Sequence, residues 1–218
     1  MKVKWLGHAA FVITSSDGTK VLTDPYKPGS YDGAVGYGPI TEPVDVVTVS
    51  HEHDDHNGVE GLPGQSEVVK GCGEHKAGGI RIHGYGCFHD ETQGADRGDN
   101  TIFVIDVDGV RVCHLGDLGH PLSPEATKEI GPVDILLVPV GGFFTIDAAQ
   151  AASTAESLGA KVIIPMHFKT ESLGFPIAPV DDFLKEMGSY ERPETAEVDI
   201  TPESLTQGRR VVVLEHAL

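Results

Sequence analysis

The chain has 218 residues, 33 Asp and Glu against 16 Lys and Arg, and a formal net charge of -17. Such a surface repels phosphate backbones and anionic lipid heads, which sets nucleic acid and membrane aside as expected partners. A hydrophobic share of 39% allows one sizeable core without disulfide staples, so a single domain over residues 1–218 is expected.

Short runs rich in valine and isoleucine, punctuated by glycine, proline and aspartate, predict strands in chain order. They fall at Val3–Leu6, Ala10–Thr14, Val21–Thr23, Val46–Ser50, Val68–Lys70, Ile80–His83, Ile102–Val107, Val110–Leu115, Ile135–Pro139, Val162–Pro165 and Val211–Leu214. Asp17-Gly18 and Asp108-Gly109 carry hairpin-turn chemistry. Gly29 to Gly38 reads as a loop on the site side. Helices are predicted where Ser123-Pro124-Glu125 supplies an N-cap and a first-turn proline, over Asp147–Leu158, and over Val180–Met187 before Gly188. Strands followed by strands alternating with helices predict two packed sheets with helices outside. No apolar run approaches the roughly 20 residues of a membrane span. The opening residues lead straight into a strand rather than a secretory signal. Cys72, Cys87 and Cys113 read as free thiols, so a cytoplasmic setting is expected. Of these, Cys87 and Cys113 are expected as small buried hydrophobes.

The segment that carries chemistry is Ser50-His51-Glu52-His53-Asp54-Asp55-His56, directly after the Val46–Val49 strand. Residues two apart in extended chain share a side, so His51 and His53 can converge on one ion. A helix starting near Asp55 would aim Asp55 and His56 at the other side of the pocket, which suits two neighbouring cations. Imidazole with carboxylate favours zinc, manganese, iron, cobalt or nickel over magnesium or calcium, with Zn2+ expected first and Mn2+ or Fe2+ next. Two coordination spheres need about three further donors. His89, Asp117 and His167 each stand just past a predicted strand, where site residues of layered folds collect. His8, His120 and Lys169 lie close in sequence to these loops and are candidates for leaving-group protonation or for holding an anionic group, while His75 and His83 read as surface or loop residues. Asp24 is expected to anchor a site loop by hydrogen bonds.

The order His-x-His-x-Asp-His, then His, then Gly-Asp, then a late strand-end His resembles the metallo-β-lactamase superfamily over nearly the whole chain. Leu6-Gly7-His8-Ala9-Ala10, His114-Leu115-Gly116-Asp117 and Pro165-Met166-His167 look most like the branch of L-ascorbate 6-phosphate lactonase-like proteins and metal-dependent hydrolases. The resemblance implies an α/β (α+β) fold, a four-layer αββα sandwich of two mixed sheets with a binuclear site along their edge. It implies that His51, His53 and His89 bind one metal, that Asp55, His56 and His167 bind the second, and that Asp117 bridges them. The stretch Pro139 to Thr145 is implied to line the pocket.

Departures from other branches narrow the activity. Exported β-lactamases of the family commonly carry cysteine where Asp117 stands. Glyoxalase II-like thioesterases add a glutathione-binding helical domain, flavo-diiron proteins carry Glu where His53 stands, and family nucleases bring a basic exosite. The expectation is a hydrolase of a small-molecule lactone, ester or phosphoester, in which two cations sharpen a bridging hydroxide that Asp55 helps orient. A mononuclear iron dioxygenase and a non-catalytic metal-binding module are the alternatives. Substrate, native metal and oligomeric state are left open.

Overall fold

The computed structural model describes residues 1–218. Its strands are β1 Lys2–Gly7, β2 Ala10–Thr14, β3 Lys20–Thr23, β4 Val46–Val49, β5 Glu67–Lys70, β6 Gly73–Ala77, β7 Ile80–Phe88, β8 Asp99–Val107, β9 Val110–His114, β10 Ile135–Pro139, β11 Val162–Met166, β12 Glu197–Asp199 and β13 Arg210–Val211. The helices are α1 Pro124–Ile130, α2 Ala148–Ser157 and α3 Asp181–Met187. Two sheets form, in the orders β12-β1-β2-β3-β4-β5 and β13-β11-β10-β9-β8-β7-β6.

Each sheet changes character partway across. β1, β2 and β3 pair antiparallel, then β4 and β5 continue in parallel. β6 to β9 pair antiparallel, then β10, β11 and β13 continue in parallel. Such mixed sheets bury both faces of their parallel halves, which explains the uninterrupted apolar runs of β4, β10 and β11. Along β2, Phe11 and Ile13 face the core shared with the second sheet. Ala10 and Val12 face the opposite way, onto Tyr26, Val35, Tyr37 and Leu173. The outer face of the first sheet is thus covered by loop segments, and the helices lie with the shared core on the other side. Trp5, Phe11 and Phe103 are fully enclosed, each worth about 2–3 kcal/mol of burial.

The helix ends follow the sequence. Ser123 Oγ accepts from Ala126 N–H at the start of α1, and Asp147 with Gln150 closes a capping box on α2. Three expectations need correction. No helix begins at Asp55: the chain makes one turn, with His56 and Asn57 N–H both donating to His53 O, and then leaves because Gly58 N–H pairs with Pro25 O instead. His75 sits in β6 rather than in a loop, paired with Ile82, while His83 ends the predicted strand as expected and pairs with Val104 in β7. The last strand is only Arg210–Val211, and Val212 to Leu214 are buried beyond it. β6 and β12 are additions, edge strands whose polar sequences carry weak alternation.

Candidate metal centre

Five strand ends meet at one edge of the two sheets. β3 runs into Asp24, β4 into Ser50 to His56, β7 into His89, β9 into Asp117 and β11 into His167. His8, in the turn between β1 and β2, completes the ring. The chain turns sharply here: His8, Asp24 and His167 have φ of 52°, 37° and 51°, left-handed backbone that costs about 1–3 kcal/mol at a non-glycine residue. Trp5 Nε1–H holds the His8 carbonyl at 2.9 Å, and the same carbonyl accepts from His167 N–H. Gly116 has φ 54°, and a Cβ there would lie 2.3 Å from Asn100 Oδ1, so only glycine lets the chain pass from β9 to Asp117.

The donors form two groups. His51, His53 and His89 converge with their donor atoms mutually within 4.8 Å, and so do His8, Asp55, His56 and His167. Asp117 lies between them. Its Oδ2 is 3.2 Å from His89 Nε2 and 3.3 Å from His167 Nε2, and its Oδ1 is 3.2 Å from His56 Nε2. A carboxylate whose Oδ2 reaches both groups while Oδ1 faces the second is suited to a bridge. All seven residues with metal-ligand patterning therefore meet, His53 half-buried and the other six buried.

A buried network fixes the imidazoles. Asp24 Oδ1 accepts from Ser50 N–H at 2.8 Å, while Oδ2 accepts from Ser50 Oγ–H at 2.5 Å and from His56 Nδ1–H at 2.9 Å. With its proton given to Asp24, Ser50 Oγ accepts from His51 Nδ1–H at 2.9 Å. The network places a proton on Nδ1 of both rings, so His51 and His56 turn their Nε2 atoms to the pocket. His51 Nε2 is buried and unpartnered, and His56 Nε2 has only its 3.2 Å approach to Asp117 Oδ1. An unpaired buried polar atom costs about 1–3 kcal/mol. Orphaned lone pairs gathered beside carboxylates are what a divalent cation satisfies, so this donor set fits metal ions.

Charge and burial act together on the site. Burial pulls the His51 imidazole down to about 3 and the His8 imidazole down to about 4, and lowers His53 as well. At Asp24, Asp55 and Asp117 burial opposes ionisation, but the surrounding imidazoles overcome it and hold all three carboxyls below the usual range. His56 goes the other way: burial opposes its charge, and Asp117 with Asp55 raises its pKa well above the ordinary value.

His8 donates from Nε2 to Asp55 Oδ2 at 3.0 Å, and Tyr31 Oη–H donates to Asp55 Oδ1 at 3.2 Å. His120 and Lys169 do not join the cluster. His120 Nε2 accepts from Phe88 N–H at 3.2 Å, its Nδ1 donates to Pro121 O at 2.9 Å, and its ring lines a separate cavity of about 320 Å³ with Cys72 and Cys87. The Lys169 ammonium is taken up by the carbonyls of Leu173 and Phe175. The Cys87 thiol is buried, accepts from Asn100 Nδ2, and is pushed up to about 12 by that burial.

Four supporting residues were not among the site candidates the sequence offered, although His114 lies in a motif that carries the family resemblance. Asn100 Oδ1 accepts from Asp117 N–H at 3.0 Å, and its Nδ2 donates to Leu115 O at 2.9 Å. His114 donates from Nε2 to Ala9 O at 2.9 Å, tying β9 to the turn that holds His8. Asp90 winds the following loop around its carboxylate. Its Oδ1 accepts from the N–H groups of Thr92 and Gly94, and its Oδ2 from those of Asp96 and Arg97. Tyr31 reaches Asp55 from a kinked turn at Ser30–Gly33. This last could also be anticipated, since the glycines flanking it mark a loop.

Comparison with known proteins agrees with this geometry. A family model described as a beta-lactamase superfamily domain matches residues 2–167. A UPF0173 metal-dependent hydrolase of Hyperthermus butylicus is 34% identical over 206 residues, covering 82% of this chain and 86% of its own. Another, from Thermococcus onnurineus, is 30% identical over 195 residues, covering 78% and 85%. A Thermotoga maritima structure described as a Zn-dependent hydrolase of the metallo-beta-lactamase superfamily is 41% identical with a TM-score of 0.80, covering 99% of this chain and 98% of its own. A metallo hydrolase of Ignicoccus hospitalis, 24% identical with a TM-score of 0.65 over 98% of this chain and 94% of its own, shares the fold.

Proposed function

The chain belongs to the metallo-β-lactamase superfamily, and from that premise we propose that it is a binuclear metal-dependent hydrolase of a small-molecule lactone, ester or phosphoester. The observation that carries the reading is Asp117, whose two oxygens stand 3.2–3.3 Å from histidines of both donor groups. His51, His53 and His89 would hold one ion, and Asp55, His56 and His167 the other, with Asp117 common to both. Zn2+ or Mn2+ suits this nitrogen-rich set, and Fe2+ is compatible with it. Divalent ions held there lower the pKa of water and polarise the oxygen under attack.

The chain's own residues do the rest. Asp24 keeps the protons of His51 and His56 on the side away from the pocket, one through Ser50 and one directly. His8 is a positioning residue: its Nε2 proton fixes the Asp55 carboxylate, which Tyr31 braces from the solvent side. The branch likeness to lactonase-like proteins sets the range of bonds to be screened. The three free cysteines support a reducing, cytoplasmic setting, and no helix is long and apolar enough to cross a membrane.

The test is metal content on freshly purified protein, followed by turnover of lactone, ester and phosphoester panels. Two ions per chain with hydrolysis is expected, and Asp55→Ala or His167→Ala should abolish turnover with the circular-dichroism spectrum unchanged. Full activity in either variant refutes the assignment, and one iron per chain with oxygen uptake favours dioxygen chemistry.

A further inference from the structure

Two of the four large hydrophobic side chains exposed on this protein, Tyr31 at 48% and Phe143 at 66%, stand beside the metal centre. Both occupy left-handed backbone, with φ of 53° and 63°, so the chain accepts strain to present them. They are the ends of a continuous aromatic shelf. Phe143 packs on Phe144 at 4.6 Å between ring centroids, Phe144 on Phe175 at 5.8 Å, and Phe175 on Tyr31 at 5.3 Å. Phe175 also lies 5.8 Å from the His8 ring, and Tyr31 touches Asp55, so the Tyr31–Phe175 end of the shelf borders the second group.

The far end of the shelf is closed by a cation. Arg97 sits 5.6 Å over the Phe144 ring, and its Nη2–H donates to Phe143 O at 3.4 Å. It also lines a cleft of about 380 Å³ with His51 and His53, facing the first donor group. Other cations are engaged: Lys27 pairs with Asp54 at 2.9 Å, Lys70 with Glu52 at 2.7 Å, and the Lys169 ammonium donates to the Leu173 and Phe175 carbonyls. The Arg97 guanidinium has no carboxylate within 4.0 Å, although the chain carries 33 acidic residues. The residue's backbone N–H is bound at 2.7 Å by the Asp90 carboxylate, which fixes the stem, and the Phe144 ring and Phe143 carbonyl hold the guanidinium. A preorganised, unpaired guanidinium at the edge of an apolar shelf is a receptor for an anion attached to an apolar body.

We propose that the substrate of this site carries an apolar acyl or aryl body, which lies on the Tyr31–Phe175–Phe144–Phe143 shelf, and one anionic group, which Arg97 receives. This rests on the hydrolase reading for which bond is cut, but the shelf and its cation are read independently of turnover. The cation explains how so acidic a chain retains an anionic ligand. The shelf explains why strained, exposed aromatics are tolerated.

The test uses metal-loaded protein and calorimetric binding of two non-hydrolysable probes of matched shape, phenylmethanesulfonate and benzyl methyl sulfone. A sulfonate is a weak metal ligand, so its charge reports on Arg97 rather than on the ions. The sulfonate should bind about tenfold tighter than the sulfone. Arg97→Gln should erase that preference with metal content unchanged, and Phe144→Ala should weaken both probes about fivefold. Equal binding of the two probes, a preference that survives Arg97→Gln, or binding of neither overturns the proposal. So does loss of metal in Arg97→Gln, which would make that residue part of the metal centre. If the pattern holds while no lactone, ester or phosphoester is cleaved, the hydrolase reading fails and the subsite stands.

Discussion

Asp24 and Asp90 are both buried aspartates one contact away from the histidines, and they stabilise opposite kinds of structure. Asp24 collects side-chain donors, Ser50 Oγ–H and His56 Nδ1–H, and so fixes the direction of imidazoles at rigid strand ends. Asp90 collects backbone donors from Thr92, Gly94, Asp96 and Arg97, and so fixes the path of a loop. The floor of the site is therefore built by aiming rings, and the rim by shaping chain. Metal ions demand the first, since donors must sit within tenths of an ångström. Recognition of an organic substrate is met by the second, on loops that tolerate variation.

The largest effect that separates the two regions should come from Asp24→Asn. An amide cannot accept from both Ser50 Oγ–H and His56 Nδ1–H on one oxygen while its own N–H₂ faces the Ser50 amide. Metal affinity, read by chelator competition, should fall about 10–100-fold, with probe binding at Arg97 intact in protein kept loaded. An unchanged affinity would show that strand geometry alone aims the rings.

Acidification sharpens the same contrast. In the metal-free chain Asp117 and Asp55 keep a proton on His56 at neutral pH, whereas His51 and His8 stay neutral until about 3 and about 4. A cation must expel the His56 proton to bind, so affinity rises with pH and falls as pH drops, by about tenfold per unit between pH 5 and 7. Calorimetry in buffers of different ionisation heat should report one proton released per chain. A pH-independent affinity in that window would contradict the charge on His56.

The smallest effect belongs to Asp90→Ala. Burial opposes ionisation of this carboxyl, and the N–H groups of Arg97 and Gly94 overcome it, holding its pKa below the usual range. Losing that acceptor should raise amide exchange in residues 91–98 several-fold and halve the charge preference at Arg97, with metal content retained. Protection unchanged across the loop would mean that Asp90 does not shape it.

The floor was legible in the sequence because strand ends are. His51, His53, Asp55 and His56 follow the apolar run of β4 at fixed spacing, and His89, Asp117 and His167 each follow another strand that ends at the same edge. Local pattern and position along the chain suffice for such residues. The expected helix at Asp55 failed because a backbone pairing from a distant segment, Gly58 with Pro25, diverts the chain after one turn. Sequence proximity misled for His120 and Lys169, whose polar atoms are satisfied by nearby backbone groups. The rim was half legible: the loops holding Tyr31 and Phe143 were expected at the site, whereas Arg97 and Phe175 were not. Tyr31, Arg97, Phe143 and Phe175 come from four loops whose meeting is a tertiary event with no periodic signature. Edge strands β6 and β12 escaped because a partner on one side only relaxes the demand for apolar alternation.

The Asp90 spool has one more consequence. It begins at the residue following His89 and closes on Arg97, so a donor of the first group and the cation of the rim ride on the same short stretch of chain. An ion of larger radius that pushes His89 outward would carry the guanidinium with it.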